Sequence, residues 1–323
     1  MDNFDETKSD TSNNSFYIEN VPLNLRGRSE WWELKHNEIK ITKEIGKGTC
    51  GIVYKIKWRG LDCVSKCLIN KDNETDYNDL LNEISIISHL RHPNLVLFLG
   101  ACTIKEPLML LYEYIELGTI ENYFNNMAKK NNKTVWIPKN NVKKKWLIEL
   151  SQAVYFLHSC YYPIMHRDLK PSNILLTNNL DIKITDFGLS KILKNNSSYK
   201  MSGCTGTLRY MAPEILKDNN YNYDLKIDVY SLSLNFWYIF TGKIPFSEIK
   251  ELQNINRLII FGYRPNLCEI KNTEICKLLD KMWNVIPENR PNMSEVLNIV
   301  TNIDYNIKNN KCIKFRNIFI YIA

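Results

Sequence analysis

A small β-rich half followed by a larger helical half, an α+β layout in two lobes, is what this sequence predicts. Short strand-like runs crowd residues 38 to 114, and from about residue 119 the apolar spacing switches to a helical period. The 323 residues, 44% hydrophobic and 24% charged, also suffice for one large two-lobed domain or two ordinary ones, with ample core.

Taken in order, residues 1 to 37 lack apolar periodicity, are rich in Asn, Ser and Asp, and are expected to be disordered or extended. Their acidic, polar start is not a signal peptide. The strand-like runs follow as IKITKEI, GIVYKIKW, CVSKCL, LVLFLGACT and LMLLYEY, with one helix among them carrying Leu80, Ile84 and Ile87 on one face. Trp146, Leu150, Ala153 and Leu157 then recur at steps of four, three and four, the stripe of a core-facing helix. The runs ILL and IKIT, joined by TNNLD, predict a β-hairpin. Further helices are expected around 223–242, 249–261, 273–284 and 293–302. The folded domain should therefore cover 38–303, with lobes at 38–114 and 119–303 and a tail at 304–323.

The formal net charge is +7, and residues 126–145 hold seven lysines and no acid, which equals the whole excess. That stretch is expected to be a solvated insertion, with docking of an acidic partner as the alternative. No aromatic platform or reading helix accompanies the charge, so nucleic acid is not an expected partner. Nine cysteines form no CxxC pair and no zinc spacing, which predicts reduced, mostly buried thiols and a cytoplasmic or nuclear setting. The most apolar window, VYSLSLNFWYIFTG (229–242), is too short and hydroxyl-rich to span a membrane and reads as a buried core helix.

The chemistry concentrates in a few places. Asn173 directly precedes the first strand of the predicted hairpin and Asp186 follows the second, so both fall at its open end. An amide oxygen beside a carboxylate is a hard donor pair of the kind Mg²⁺ accepts. Asp168 and Lys170 lie on the loop leading into the same strand end. Gly46, Gly48 and Gly51 sit between two strand-like runs, where glycine lets backbone N–H groups approach phosphate oxygens. G-x-G-x-x-G alone also marks dinucleotide folds, but there a helix follows, whereas here a second strand does. Lys66 shares its strand face with Val64 and Leu68, and Glu83 borders the Leu80–Ile87 stripe. Each needs a partner, and pairing them with each other satisfies both.

Together these residues resemble the eukaryotic protein kinase domain over residues 38–303. The glycine-rich loop matches at Gly46, Gly48, Gly51 and Val53, the strand lysine at Lys66 and its helix glutamate at Glu83. The catalytic loop matches at His166-Arg167-Asp168 through Asn173. Asp186-Phe187-Gly188 and Ala212-Pro213-Glu214 match the two ends of the activation segment. The resemblance further implies that Arg290 pairs with Glu214 and that Asp228 braces the catalytic loop. WRG at 58–60, HRDLKPSN and GTLRYMAPE are similar to the tyrosine-kinase-like group, and Lys170 and Thr207 match its serine/threonine-specific form.

That resemblance implies phosphoryl transfer from ATP to serine or threonine of protein substrates, with Mg²⁺ (or Mn²⁺) as the metal. Asp168 would act as base, Lys170 would contact the transferring phosphate, and Asn173 and Asp186 would hold the metal. Lys66, fixed by Glu83, would grip the α- and β-phosphates. The nucleotide would lie against Ile45, Gly46, Lys47, Gly48, Thr49, Cys50, Gly51, Ile52 and Val53 of the loop. Val64, Lys66, Glu113, Ile115 and Leu175 would complete its site. Val64 stands where alanine is usual, Tyr112 falls at the gatekeeper position behind adenine, and Ser233 replaces a common glycine. Arg167 beside Asp168 implies regulation by phosphorylation of Ser197, Ser198, Tyr199, Ser202 or Thr205. The rival readings are a pseudokinase scaffold, which typically lacks one of Lys66, Asp168 or Asp186, and a tyrosine or dual-specificity kinase.

Overall fold

The computed structural model describes residues 23–47, 51–68, 74–193, 208–217, 223–249 and 251–306. They fall into two compact units, one drawn from residues 1–77 and 98–112, the other from 78–97 and 113–323. The α+β layout expected from the sequence is the one observed.

The first unit opens with helix α1 (Leu23–Ser29), followed by β1 (Ile39–Lys47), β2 (Gly51–Trp58) and β3 (Leu61–Leu68). Helix α2 (Glu74–Ile87) precedes β4 (Phe98–Cys102) and β5 (Met109–Glu113), and the sheet runs β1-β2-β3-β5-β4. Its core is built from Leu34, Ile56, Cys63, Cys67, Cys102, Met109 and Leu111. Along β3 the closed face carries Cys63, Ser65 and Cys67, whereas Val64 and Lys66 on the opposite face are only half-buried. The period-two pattern of the sequence places Lys66 on the apolar, costly face. The core instead lies on the other side, because small thiols and a serine form it and give little apolar signal.

Residues 23–35, expected to be disordered or extended, are folded: α1 is followed by Trp32 and Leu34, both buried. Two aromatic or aliphatic side chains at alternate positions suffice to anchor a short edge segment.

In the second unit α2 buries Leu80, Ile84 and Ile87, as its spacing predicts. Helices α3 (Ile120–Lys130) and α4 (Asn140–His158) follow, α3 capped by Thr119, whose hydroxyl accepts from the Asn122 N–H. The four stripe residues of α4, Trp146, Leu150, Ala153 and Leu157, are fully buried. Short strands β6 (Ile164–Met165) and β9 (Lys191–Ile192) pair, and β7 (Ile174–Leu176) and β8 (Ile182–Ile184) form the predicted hairpin. The chain continues through α5 (Pro213–Lys217), α6 (Lys226–Thr241), α7 (Leu252–Ile260), α8 (Thr273–Met282) and α9 (Met293–Asn302). Helix α6 is buried from Ile227 to Thr241 and is the core helix expected from its apolar window. Gly242 ends it in the left-handed conformation at φ 67°, the usual role of glycine there. Ser233, buried within it, donates its hydroxyl to Tyr230 O of its own helix at 2.6 Å, which satisfies the group without a partner elsewhere.

The lysine-rich stretch 126–145 is divided between the end of α3, a connection and the start of α4. Trp136 in the connection packs edge-on against Tyr123 and Phe124. Lys143 is buried with its ammonium 4.8 Å from the Phe240 ring centre, Lys144 stands over Tyr305, and Lys145 pairs with Asp181 at 2.6 Å.

Cys63, Cys67, Cys102 and Cys276 are free and buried, and Cys160 is free and half-buried. Burial pushes the Cys102 thiol up to about 12 and the Cys276 thiol to about 11, so neither is a ready nucleophile. Cys268 departs from the expectation of reduced thiols, for it is disulfide-bonded. Among the described residues no helix is long and apolar enough to cross a membrane.

Burial lowers the Lys143 ammonium from its ordinary 10.5 to about 8. Between those values the unfolded chain holds more protons than the folded one, so folding gains stability as pH rises through that window. Lys143→Met is therefore expected to be more favourable relative to wild type at pH 7 than at pH 9.5, measured by urea unfolding at both. A difference that does not change with pH would show that this ammonium is as well solvated as any other.

Candidate active site

The hairpin register pairs Ile174 with Ile184, and the Thr185 N–H donates to Asn173 O at 3.0 Å. This brings Asn173, on a 3₁₀ turn opened by Pro171, to the same end as Asp186. The Asn173 Nδ2 donates to Asp168 O at 2.9 Å and to Asp168 Oδ2 at 2.8 Å. Lys170 Nζ lies 2.7 Å from the same Oδ2. Asp168 is 5% exposed, and its Oδ1 is buried with no hydrogen-bond partner among the described residues. One carboxylate oxygen is thus fixed by an amide and an ammonium, and the other remains an unsatisfied acceptor. A buried acceptor in that condition costs about 1–3 kcal/mol and is poised to take a proton donor.

Donation of its amide nitrogen to Asp168 leaves Asn173 Oδ1 as a neutral oxygen donor at the hairpin end that Asp186 shares. That donor set fits Mg²⁺, which is usually held by one or two protein oxygens and keeps several waters. Among the described residues no three His, Cys, Asp or Glu side chains cluster as a denser metal site would require.

The loop bearing Asp168 is held from below by Asp228, in the first turn of α6. Its Oδ2 accepts the His166 N–H at 2.8 Å and His158 Nε2 at 3.0 Å, and its Oδ1 accepts the Arg167 N–H at 2.8 Å. Burial alone would push this carboxyl up. Hydrogen bonding and charge from His158, with His166 and the Arg167 amide, outweigh it and hold the group below its ordinary value. Arg167 and Asp186 both adopt left-handed backbone, at φ 70° and 68°. Such residues cost about 1–3 kcal/mol each and persist only where the surroundings over-determine them. At Arg167 the Asp228 carboxylate supplies that constraint. Asn235 of α6 adds a hydrogen bond to Leu169 O at 3.1 Å.

His166 donates from Nε2 to Thr185 O and accepts the Asp168 N–H at Nδ1, and its ring lies edge-on to the buried Phe187, 5.0 Å between centres. Beyond Phe187, Asn82 of α2 donates to Ser190 O at 2.8 Å. Glu83, its neighbour on α2, is 2% exposed. His158, Asn82 and Asn235 are absent from the sequence-derived set. Asn235 left a signal, an amide inside an apolar helix, whereas Asn82 and His158 left none.

In the first unit, β2 and β3 set Val53 opposite Lys66 and Lys55 opposite Val64, so Val53, Val64 and Lys66 share the half-buried face. Ile52 pairs with Cys67 and falls on the core side, unlike its neighbour Val53. Gly46 pairs with Val53 and Lys47 with Ile52, while Ile45 beside them is exposed. A Cβ on Gly51 would stand 2.4 Å from Cys67 O, so strand packing alone requires glycine there. Gly48, Thr49 and Cys50 lie outside the described residues. Glu113 Oε1 is occupied by Lys183 Nζ at 2.7 Å and the Leu97 N–H at 2.8 Å, and the Glu113 N–H in turn donates to Leu97 O at 3.0 Å. Ile115 is buried and Leu175 half-buried.

Lower in the second unit, Glu214 and Arg290 form the bidentate pair implied by the resemblance, at 2.6 and 2.8 Å, both buried. The Arg290 guanidinium also stands over the Tyr230 ring.

Comparison with known proteins agrees with this geometry. The protein kinase domain model matches residues 39–300. A Dictyostelium discoideum protein named a probable serine/threonine-protein kinase is 33% identical over 268 residues, covering 82% of this chain and 24% of its own. The Arabidopsis thaliana serine/threonine-protein kinase VIK is 34% identical over 276 residues, covering 82% and 60%. The Dictyostelium discoideum dual specificity protein kinase shkB is 33% identical over 272 residues, covering 82% and 40%. The chain thus spans less than two thirds of the length of these relatives.

Removing one member of a buried ion pair strands the other in low dielectric. Arg290→Ala is accordingly expected to lose about 3–5 kcal/mol of stability, read from chemical denaturation. A loss below about 1 kcal/mol would mean that the Glu214–Arg290 pair is not a brace.

Proposed function

Since the chain belongs to the protein kinase domain family, we propose that it is a serine/threonine kinase that moves the γ-phosphoryl group of ATP to hydroxyls of protein substrates. The observation that carries this is the state of Asp168, one oxygen held by Asn173 and Lys170 and the other left as a buried free acceptor. A substrate hydroxyl donating to Oδ1 is oriented for attack and passes its proton to that oxygen as the new P–O bond forms and the bond from the γ-phosphorus to the departing ADP breaks. Lys170, already beside Oδ2, supplies positive charge where the transferring phosphoryl group becomes most negative. Lys66 grips the α- and β-phosphates, and the glycine-rich loop from Ile45 to Val53 offers its backbone to them. Mg²⁺, or Mn²⁺ in its place, held by Asn173 and Asp186, would neutralise phosphate charge.

Specificity for serine and threonine is supported by Lys170 and by the names of the relatives above. The shkB likeness keeps dual specificity as the second reading, which phosphoamino-acid analysis separates. Retention of Lys66, Asp168 and Asp186 argues against a scaffold without turnover.

Regulation by phosphorylation is supported by Arg167. Arg167 is half-buried with its guanidinium over the Tyr223 ring, its Nε is buried with no hydrogen-bond partner among the described residues, and burial depresses its ordinary pKa. The candidate acceptors Ser197, Ser198, Tyr199, Ser202 and Thr205, and Thr207 with them, lie outside the described residues. Lys129, Lys130, Lys133 and Lys139 are exposed and remain the candidate contacts for an acidic partner. A cytoplasmic or nuclear setting is supported by the free thiols, with the bonded Cys268 counting against it.

Asp168→Asn keeps the shape and removes the base. Turnover is expected to fall about 10²- to 10⁴-fold with ATP affinity near wild type, measured by phosphate transfer and by nucleotide titration. Undiminished turnover in the variant would remove Asp168 from the mechanism.

A further inference from the structure

The segment ahead of the sheet is built into it. Strand β4 is an edge strand, and an open edge is a liability that proteins commonly cover. Here residues 32–34 cover it. The Leu34 N–H donates to Ala101 O at 2.8 Å and the Ala101 N–H to Trp32 O at 2.9 Å, while Glu33 and Ala101 form a parallel bridge. The Glu33 carboxylate accepts from the Thr103 N–H at 2.9 Å and its hydroxyl at 2.6 Å. Helix α1 turns the chain back, so that the Trp32 and Glu33 N–H groups both reach Gly27 O.

Two glycines, far apart in sequence, make room for this segment. A Cβ on Gly27 would stand 2.8 Å from the Trp32 ring. One on Gly100 would stand 2.7 Å from both the Leu34 side chain and Trp32 O. Either substitution would displace the segment. The adjacent tryptophans are used oppositely: Trp31 is 91% exposed and Trp32 6%.

The Trp32 ring lies edge-on to Phe98, 6.2 Å between centres, and Phe98 lies edge-on to Tyr112 at 6.0 Å. Phe98 and Tyr112 are themselves register partners across β4 and β5. A line of three rings therefore joins the covering segment to Tyr112, next to Glu113 where the chain leaves the sheet.

We propose that Trp32 is a positioning residue for nucleotide binding, acting through Phe98 to fix the ring of Tyr112 behind the adenine. The inference rests on the kinase reading, which places adenine beside Tyr112. Aromatic rings in such a line prefer edge-to-face geometry, and removing the first leaves the second free to rotate into the gap. The third, Tyr112, then loses the fixed edge-on neighbour on its Phe98 side. Trp32 itself need not touch the nucleotide.

The test is ATP affinity by titration calorimetry on the full chain, alongside KM and kcat for phosphate transfer. Trp32→Ala should weaken ATP binding about 2- to 10-fold, the worth of one aromatic pair, and raise KM by a similar factor with kcat little changed. Trp32→Phe should restore most of the affinity, and Trp31→Ala should leave it unchanged. In a Tyr112→Leu background, Trp32→Ala should produce no further weakening. Should Trp32→Ala lower thermal stability yet leave ATP affinity intact, or weaken it equally with Tyr112 absent, Trp32 is a purely structural anchor and the proposal falls. Normal ATP binding by wild type without phosphate transfer would count against the kinase reading alone, whereas absence of ATP binding would end both.

Discussion

The buried carboxylate of Asp228 collects two consecutive backbone N–H groups, from His166 and Arg167, together with the His158 imidazole. Two adjacent amides can turn toward one acceptor only if the backbone bends sharply, and Arg167 meets that demand with a left-handed conformation. The bend carries the next residue, Asp168, to where Asn173 and Lys170 reach its Oδ2. Without an acceptor inside α6 the strained turn would relax, and Asp168 would have no fixed position. The geometry of this loop therefore depends on a charge that is expensive to bury and fully compensated once buried.

A second constraint works through the hairpin. Asn173 serves twice, its amide nitrogen steadying Asp168 and its backbone oxygen pairing with the Thr185 N–H. Its side-chain oxygen remains at the hairpin end that Asp186 shares. One residue thus ties the Asp168 carboxylate to the end of the β7–β8 hairpin, so neither can shift without the other. Asn82 ties α2 to the backbone just past Phe187 and Gly188, which links a helix outside the catalytic loop to the segment that follows Asp186.

Much of the fold was legible in the residues. The stripes of α2 and α4 and the β7–β8 hairpin follow from apolar spacing and turn chemistry, and each buries the side chains its pattern indicates. Asp168, Asn173 and Lys170 were legible as a group because they lie within six positions of one another next to a strand. Less legible was the face of β3. Its alternation suggested that Lys66 lay on the apolar side, but Cys63, Ser65 and Cys67 close the core instead, leaving Val53, Val64 and Lys66 together on the more open face. The folded segment before β1 was hidden for a similar reason. Its two anchors, Trp32 and Leu34, are too few to form a period, and their partners Gly100 and Ala101 lie far along the chain.

By itself the sequence determined most of the helices and strands and singled out the short motif around Asp168, because helix and strand periods and short motifs are local properties. The tertiary structure alone decided which face of the sheet is core, which carbonyls and amides meet Asp228, Asn82 and Asn235, and how Trp32 reaches Tyr112. Those outcomes depend on contacts between residues tens of positions apart, and no local spacing encodes which of several buried polar groups will find which partner.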